Sequence, residues 1–401
     1  MKNRLLTVIL SITSFTTLFA TDHVVQEGGT GGVFTTISSA ISASADGDRI
    51  IIHPKTGGNP WVEALTIDKN LELVSSQDGV RYKIQGDIDI IGQNGRIVTI
   101  IGAHLVSGNI KGTTNNTWKT EVNILGCQLD GGYIQFYKSY HSTIVSNVLL
   151  NGRIDISIGD AIGNDLSNNY IYIQNTSSNT DTVNIIANKA KRIVSGSTNV
   201  VNIINNFFYH NVSQTSFSTI RYTSVPLSGK IVNNTICTPS STNSSFGYRN
   251  YFISSSNSAS SAYNNLLIQN NIFATTTTSS AKPIFSGNLT NSSAASNYNY
   301  YFAVNSNQTI SNNSNEVILA SNPVTASGTL ILPTAAQNGA NPAFEFYDLD
   351  LSVGDAGCYG GSYTLDNYFP ITGSSRVFNI DMPFGIFSSG NLDIKATGFD
   401  R

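Results

Sequence analysis

Ile204-Asn205-Asn206-Phe207-Phe208, Val232-Asn233-Asn234-Thr235-Ile236 and Gln269-Asn270-Asn271-Ile272-Phe273 share one pattern, an Asn doublet followed by apolar or aromatic residues. Looser copies precede them: Ile101-Gly102-Ala103-His104-Leu105, Leu125-Gly126-Cys127-Gln128-Leu129, Val145-Ser146-Asn147-Val148-Leu149, Ser167-Asn168-Asn169-Tyr170-Ile171 and Ile186-Ala187-Asn188-Lys189-Ala190. Their third positions fall at 103, 127, 147, 169, 188, 206, 234 and 271, in steps of 24, 20, 22, 19, 18, 28 and 37. Insertions that change the step and leave the motif intact mark a coiled array, each repeat a supersecondary unit stacked on its neighbours. An Asn at a tight bend tolerates left-handed backbone and bonds its counterpart in the next coil through its amide. The expected ladder is Asn147, Asn169, Asn188, Asn206, Asn234 and Asn271, with Ala103 and Cys127 at the same phase but outside it. Tyr170, Phe207, Phe208 and Phe273 follow the bend, where stacked core aromatics are expected.

The chain has 401 residues, of which 12% are charged, about half the ~25% of an average soluble domain. Its polarity comes from Ser, Thr and Asn instead. The apolar residues lie in short β-branched and aromatic runs, enough to bury a core, so the chain folds. Formal net charge is −3 with no basic stretch, which excludes the electrostatic footprint of a nucleic-acid binder. Met1-Lys2-Asn3-Arg4 followed by an apolar run to Phe19 reads as a secretory signal over residues 1–20, with cleavage after Ala20. No later segment is long and apolar enough for a membrane helix. The expected location is secreted or on the outer cell surface. Cys127, Cys237 and Cys358 lie far apart and read as buried packing residues rather than ligands or nucleophiles.

Phe34, Ile37, Ala40 and Ile41 stand at helical spacing after a polar, Gly-rich entry, and Asp46-Gly47-Asp48 closes that helix. A helix at this place caps the open apolar end that every solenoid has. Three strand patterns follow. The run FTTISSAISASADGDRIIIHP (34–54) and then WVEALTIDKNLELVSS (61–76) resembles the opening of right-handed parallel β-helix proteins of the pectin-lyase-like class. The resemblance covers about Val33 to Gly361, and NPAFEFYDLDLSVGDAGCYGGSY (341–363) is similar to the closing coil of secreted β-helix proteins, especially of Bacteroidetes-like type. It implies an all-β, right-handed parallel β-helix of ten to twelve coils over 21–361. Residues 362–401 form a C-terminal unit in which Arg376 to Pro383 and Asn391 to Thr397 alternate as a β-ribbon, expected over the open end.

The resemblance leaves function open, because that fold carries lyases, hydrolases, epimerases, adhesins and phage spikes. Asn179-Thr180-Asp181 is similar to the first motif of polygalacturonase-like hydrolases, but no Asp pair follows at coil spacing and neither Gly-His-Gly nor Arg-Ile-Lys occurs. A glycosidase needs two carboxyl groups around one bond. Coil phase instead stacks Tyr133 and Gln135 under Arg153 and Asp155, with Tyr137 and Lys138 nearby, and alternation turns Tyr133, Gln135, Tyr137, Arg153, Asp155 and Ser157 outward together. Long steps after 206 and 234 hold excursions carrying Arg221, Tyr222, Tyr248, Arg249, Asn250 and Tyr251. Tyr133, Gln135, Tyr137, Arg153, Asp155, Arg221, Tyr248 and Arg249 form the candidate ligand-facing surface. A solvated polar sheet face is the plain reading of the same residues. No metal set or cofactor motif occurs. The expectation is a non-catalytic adhesive or polysaccharide-binding protein, its partner a polysaccharide or cell-surface glycan; the alternatives are a divergent polysaccharide lyase or glycoside hydrolase, and a structural envelope component.

Overall fold

Short strands that alternate apolar and polar residues bury one face when they stack in register, and the coils here do so in parallel. The computed structural model describes residues 20–370, apart from 114–118, 139, 175–180, 198, 211–217, 225, 239–251, 256–265, 276–294, 304–314 and 326, together with 376–381 and 395–399. Twelve strands build the first sheet in chain order, from Asp22–Val25 and Asp48–Ile52 through Thr182–Ile186 to Ala295–Asn297. The number matches an array of ten to twelve coils. On its inner face Ile50, Leu73, Ile100, Ile124, Ile144, Ala161, Ile185, Ile203, Ile231 and Ile268 pair one above another, all fully buried. Each such aliphatic contributes about 1.5–3 kcal/mol by leaving water. Nineteen further strands among the described residues form a second parallel system of two faces, a short strand after the bend and a third strand that closes the coil.

The bend has a division of labour that the repeat pattern did not reveal. Gly102, Gly126, Ser146, Gly163, Ala187, Asn205, Asn233, Asn270 and Tyr298 all carry a φ between 53° and 67°, so the left-handed residue is the one before the ladder. The ladder residue itself turns inward. Its members are Asn147, Asn164, Asn188, Asn206, Asn234, Asn271 and Asn299, every one buried. Asn234 is representative: its Oδ1 accepts from Asn206 N (2.9 Å) and Nδ2 (3.0 Å), while its Nδ2 donates to Ile203 O (2.8 Å) and Asn271 Oδ1 (3.0 Å). Asn169, expected in the ladder, is not in it. Pairing of Val148 with Asp165 puts Asn164 at that phase, and Asn169 lies within the strand Asp165–Ile173 with its Oδ1 taking only the next amide, Tyr170 N.

The helix spans Ile37–Ala43 and lays Ile37, Ala40 and Ile41 on the first coils. Both its ends are satisfied by the coil beneath. Glu63 accepts from Ile37 N and Ser38 N at the N-terminus, and Lys69 Nζ donates to Ile41 O, Ser42 O and Ser44 O at the C-terminus, each charge matching the helix dipole. The polar entry contains a strand, Asp22–Val25, which pairs with Asp48–Ile52 and adds the first rung.

Residues 341–363 do not form the closing coil expected of them but belong to the segment 319–370. That segment runs back along the outside of the bend as a strap with short 3-10 turns at Thr334–Ala336, Phe344–Phe346 and Leu365–Asn367. Cys358, Leu365 and Tyr368 cover Val145, Ile162, Ile186, Phe207 and Cys237, whose side chains leave the first sheet and bend on the outer side. Asn205 Nδ2 donates to Cys358 O (3.3 Å) and to Gly360 O, Asn270 Oδ1 accepts from Asn341 N (2.9 Å), and Lys189 Nζ sits 4.0 Å from the centre of the Phe369 ring. Cys127, Cys237 and Cys358 are buried thiols, and burial pushes Cys358 up to about 12. Arg376–Asp381 and Lys395–Phe399 pair antiparallel as a ribbon.

Candidate ligand-binding face

Alternate side chains of the third strands point out of the coil on one pleated face. There Tyr133 pairs with Arg153 and Gln135 with Asp155, Asp155 with Tyr172, Tyr170 with Arg192, and Val194 with Arg221. Two columns result. One reads Tyr133, Arg153, Tyr170, Arg192 from coil to coil, and the other Gln135, Asp155, Tyr172, Val194, Arg221. The structure thus gathers Tyr133, Gln135, Tyr137, Arg153 and Asp155 in adjacent coils and sets Arg221, exposed, three coils along the same face. Tyr248 and Arg249 lie outside the described residues.

The first column alternates rings and guanidinium groups. Arg153 Cζ is 4.4 Å from the centre of the Tyr133 ring and 5.6 Å from that of Tyr170, and Arg192 Cζ is 4.6 Å from the Tyr170 ring. Arg153 also donates from Nη1 to the Tyr170 hydroxyl at 2.8 Å. A planar guanidinium stacks on a ring face while its edge remains available to a ligand, which an ammonium does not do. Tyr133, at the end of the column, is 40% exposed. Tyr170 and Arg192 were not among the candidates. Placing the bend at Asn169 made Tyr170 a core aromatic; with the bend at Asn164 it moves to the third strand and faces out.

Asp155 was expected to face a ligand and does not. Its side chain is wholly buried, with Oδ2 accepting from Gln135 Nε2 (2.9 Å) and Tyr137 OH (2.8 Å). Oδ1 lies 2.8 Å from Arg153 Nε, an ion pair whose angles are not those of a hydrogen bond. A carboxylate ringed by donors is roofed by them, because leaving water is tolerable only where its charge is matched. Ser157 is buried at the same corner, its Oγ accepting from Lys138 N.

Burial, and then the hydrogen bond to Asp155, pushes the Tyr137 hydroxyl up to about 12. Burial works against the Arg153 guanidinium, but the Tyr170 hydroxyl and the Asp155 carboxylate outweigh it and hold the group above its ordinary value. Burial lowers Arg192, and the charge of Arg221 lowers it further. An acid–base catalyst exchanges a proton near neutral pH within reach of one bond. Here Asp155 is enclosed, and the Tyr137 hydroxyl and the Arg153 guanidinium hold their protons. Toward the N-terminus the same face closes on itself, Lys111 Nζ meeting Asp87 at 2.5 Å and Asp89 at 3.5 Å.

Asp181 directly precedes the first-sheet strand Thr182–Ile186, on a different face from these columns. Among the described residues no group of three or more His, Cys, Asp or Glu side chains is placed to hold a metal ion, and no helix is long and apolar enough to cross a membrane. No protein-family model matches the chain, and no curated protein matches it in sequence.

Proposed function

We propose that this protein binds an extended acidic polysaccharide, without cleaving it, along the column Tyr133, Arg153, Tyr170, Arg192. The observation that carries the reading is the alternation of ring and guanidinium in register from coil to coil. Coils repeat at about 4.8 Å, so the four rungs offer about 14 Å of continuous face to a linear polymer. Tyrosine rings supply rigid apolar contact for the C–H faces of sugars, and guanidinium forks match carboxylates. Arg153, Arg192 and Arg221 outnumber the one carboxylate of the two columns, Asp155, in a chain whose net charge is −3. Cationic character is thus concentrated where an anionic ligand would lie. The enclosure of Asp155 favours binding over turnover. Export belongs to the same proposal, with residues 1–20 removed and the protein secreted or held at the outer surface, within reach of such polymers.

A glycan array followed by titration with polygalacturonate and alginate tests it, with unsaturated products and new reducing ends assayed in the same samples. The expected result is saturable, salt-sensitive binding without product, weakened about tenfold by Tyr133→Ala and by Arg192→Ala. Arg153→Ala is unsuitable because it strips the buried Asp155 of its counter-charge. Product release, or binding that both variants leave unchanged, refutes the proposal.

A further inference from the structure

The strap does not lie flat on the first sheet. Between them is a cleft of about 250 Å³ whose floor is Asn184, Asn202 and Lys230 and whose far wall is Glu345, Phe346 and Tyr363. The floor is one register column of the sheet, Asp160, Asn184, Asn202, Lys230, in which each amide is tied to the residue before it. Asn184 Nδ2 donates to Asp160 Oδ1 (2.8 Å) and Asn202 Nδ2 to Asn184 Oδ1 (2.8 Å). The chain of amides therefore ends on Asn202 Oδ1, an acceptor with no protein donor among the described residues. Lys230 is next in the column and exposed, and among the described residues it makes no ion pair, although Glu345 lines the same cleft. At the back stands Asn233, 2% exposed.

We infer that this cleft is a binding site for a single uncharged sugar ring. The Asn202 Oδ1 acceptor that ends the amide chain takes a hydrogen bond from a ligand hydroxyl. An ammonium and a carboxylate that make no ion pair among the described residues and line one cleft cancel in charge, so neither an anion nor a cation is favoured, yet each makes a charge-assisted hydrogen bond to a hydroxyl. Phe346 and Tyr363 add an apolar wall of the kind that small-ligand sites combine with a few placed polar groups. The volume, below the ~300–1,000 Å³ of pockets for larger ligands, suits an occupant of one ring. The site is separate from the Tyr133 to Arg192 column, on another face of the coil, and does not depend on the reading of that column.

Saturation-transfer NMR and calorimetry on the full chain test the inference, with galactose, glucose, mannose and N-acetylglucosamine as neutral probes and galacturonate and glucosamine as charged ones. At least one neutral sugar binds. Lys230→Ala and Glu345→Gln, both at exposed positions, each weaken it about tenfold without changing the far-UV spectrum or the melting temperature, and Tyr133→Ala leaves it unchanged. Absence of binding by all four neutral sugars, tighter binding of either charged probe, or affinity unaltered in both Lys230→Ala and Glu345→Gln overturns the inference.

Discussion

Two asparagines five positions apart, Asn164 and Asn169, give the sharpest test of the bend. Asn164 Oδ1 accepts from Asn147 N (3.0 Å) and Nδ2 (2.9 Å), and its Nδ2 donates to Ile144 O (2.8 Å) and Asn188 Oδ1 (2.9 Å). In Asn164→Ala two neighbours keep another partner: Asn147 Nδ2 still reaches Ile124 O, and Asn188 Oδ1 still accepts from Asn164 N. The Asn147 amide loses its partner, whereas the Ile144 carbonyl, inside a paired strand, loses only an added bond. The buried orphan amide costs about 1–3 kcal/mol, so the expected loss is about 2 kcal/mol, roughly thirtyfold in the folding equilibrium. Asn169→Ala removes only a contact to the adjacent amide and should change stability by less than about 0.5 kcal/mol. Guanidinium unfolding followed by far-UV circular dichroism measures both, and hydrogen exchange at the Asn147 amide reads the local effect. Equal shifts for the two variants, or a loss below about 1 kcal/mol for Asn164→Ala, would refute the ladder argument.

Two further predictions concern the strap. Burial, with added repulsion from Asp355 and Asp350, raises Asp348 from 3.8 to about 6, against the hydrogen bond it accepts from Gly361 N. The folded state thus holds this proton more tightly than the unfolded one, so the contribution is complete below pH 4 and is lost as pH rises through 6. The group is only partly buried, which reduces the swing to about 1 kcal/mol. Asp348→Asn keeps an acceptor for Gly361 N and should flatten stability between pH 4 and 6, with melting curves across that range as the measurement; an unchanged slope would contradict the assignment. Asn205→Gly keeps the left-handed bend and deletes the bonds to Cys358 O and Gly360 O. Limited proteolysis within 341–363 should accelerate about tenfold while cleavage at the helix cap stays constant, and equal acceleration at both places would show that Asn205 supports the coil rather than the strap.

The coil phase was legible because it rests on local requirements repeated many times. A left-handed bend admits Gly, Asn or a small residue, and an inward rung admits one amide or aliphatic; with eight copies the period emerges even through insertions. The pairing of Tyr133 with Arg153 and Gln135 with Asp155 followed from that phase alone. One coil was misphased because Asn168-Asn169-Tyr170 imitates the doublet, whereas Gly163-Asn164 matches the earlier Gly102 and Gly126 bends. That single error hid Tyr170 and, with it, the alternation continued by Arg192. Alternation also says which way a side chain leaves the strand and nothing about what then covers it. Asp155 leaves outward, as read, and is buried all the same by three neighbours whose rotamers no period encodes.

By itself the sequence determined the repeat, the parallel stacking, the capping helix and the C-terminal ribbon, since each depends on contacts within a coil or between adjacent ones. Only the tertiary structure decided the path of residues 319–370. Their contacts join positions as distant as Asn205 and Gly360, and the Asn doublets that receive them look, in sequence, like any other bend. In those coils the second Asn holds the ladder, and in at least two of them the first holds the strap. The cleft beneath the strap exists only because these long-range bonds close it, and long-range closure leaves no periodic trace.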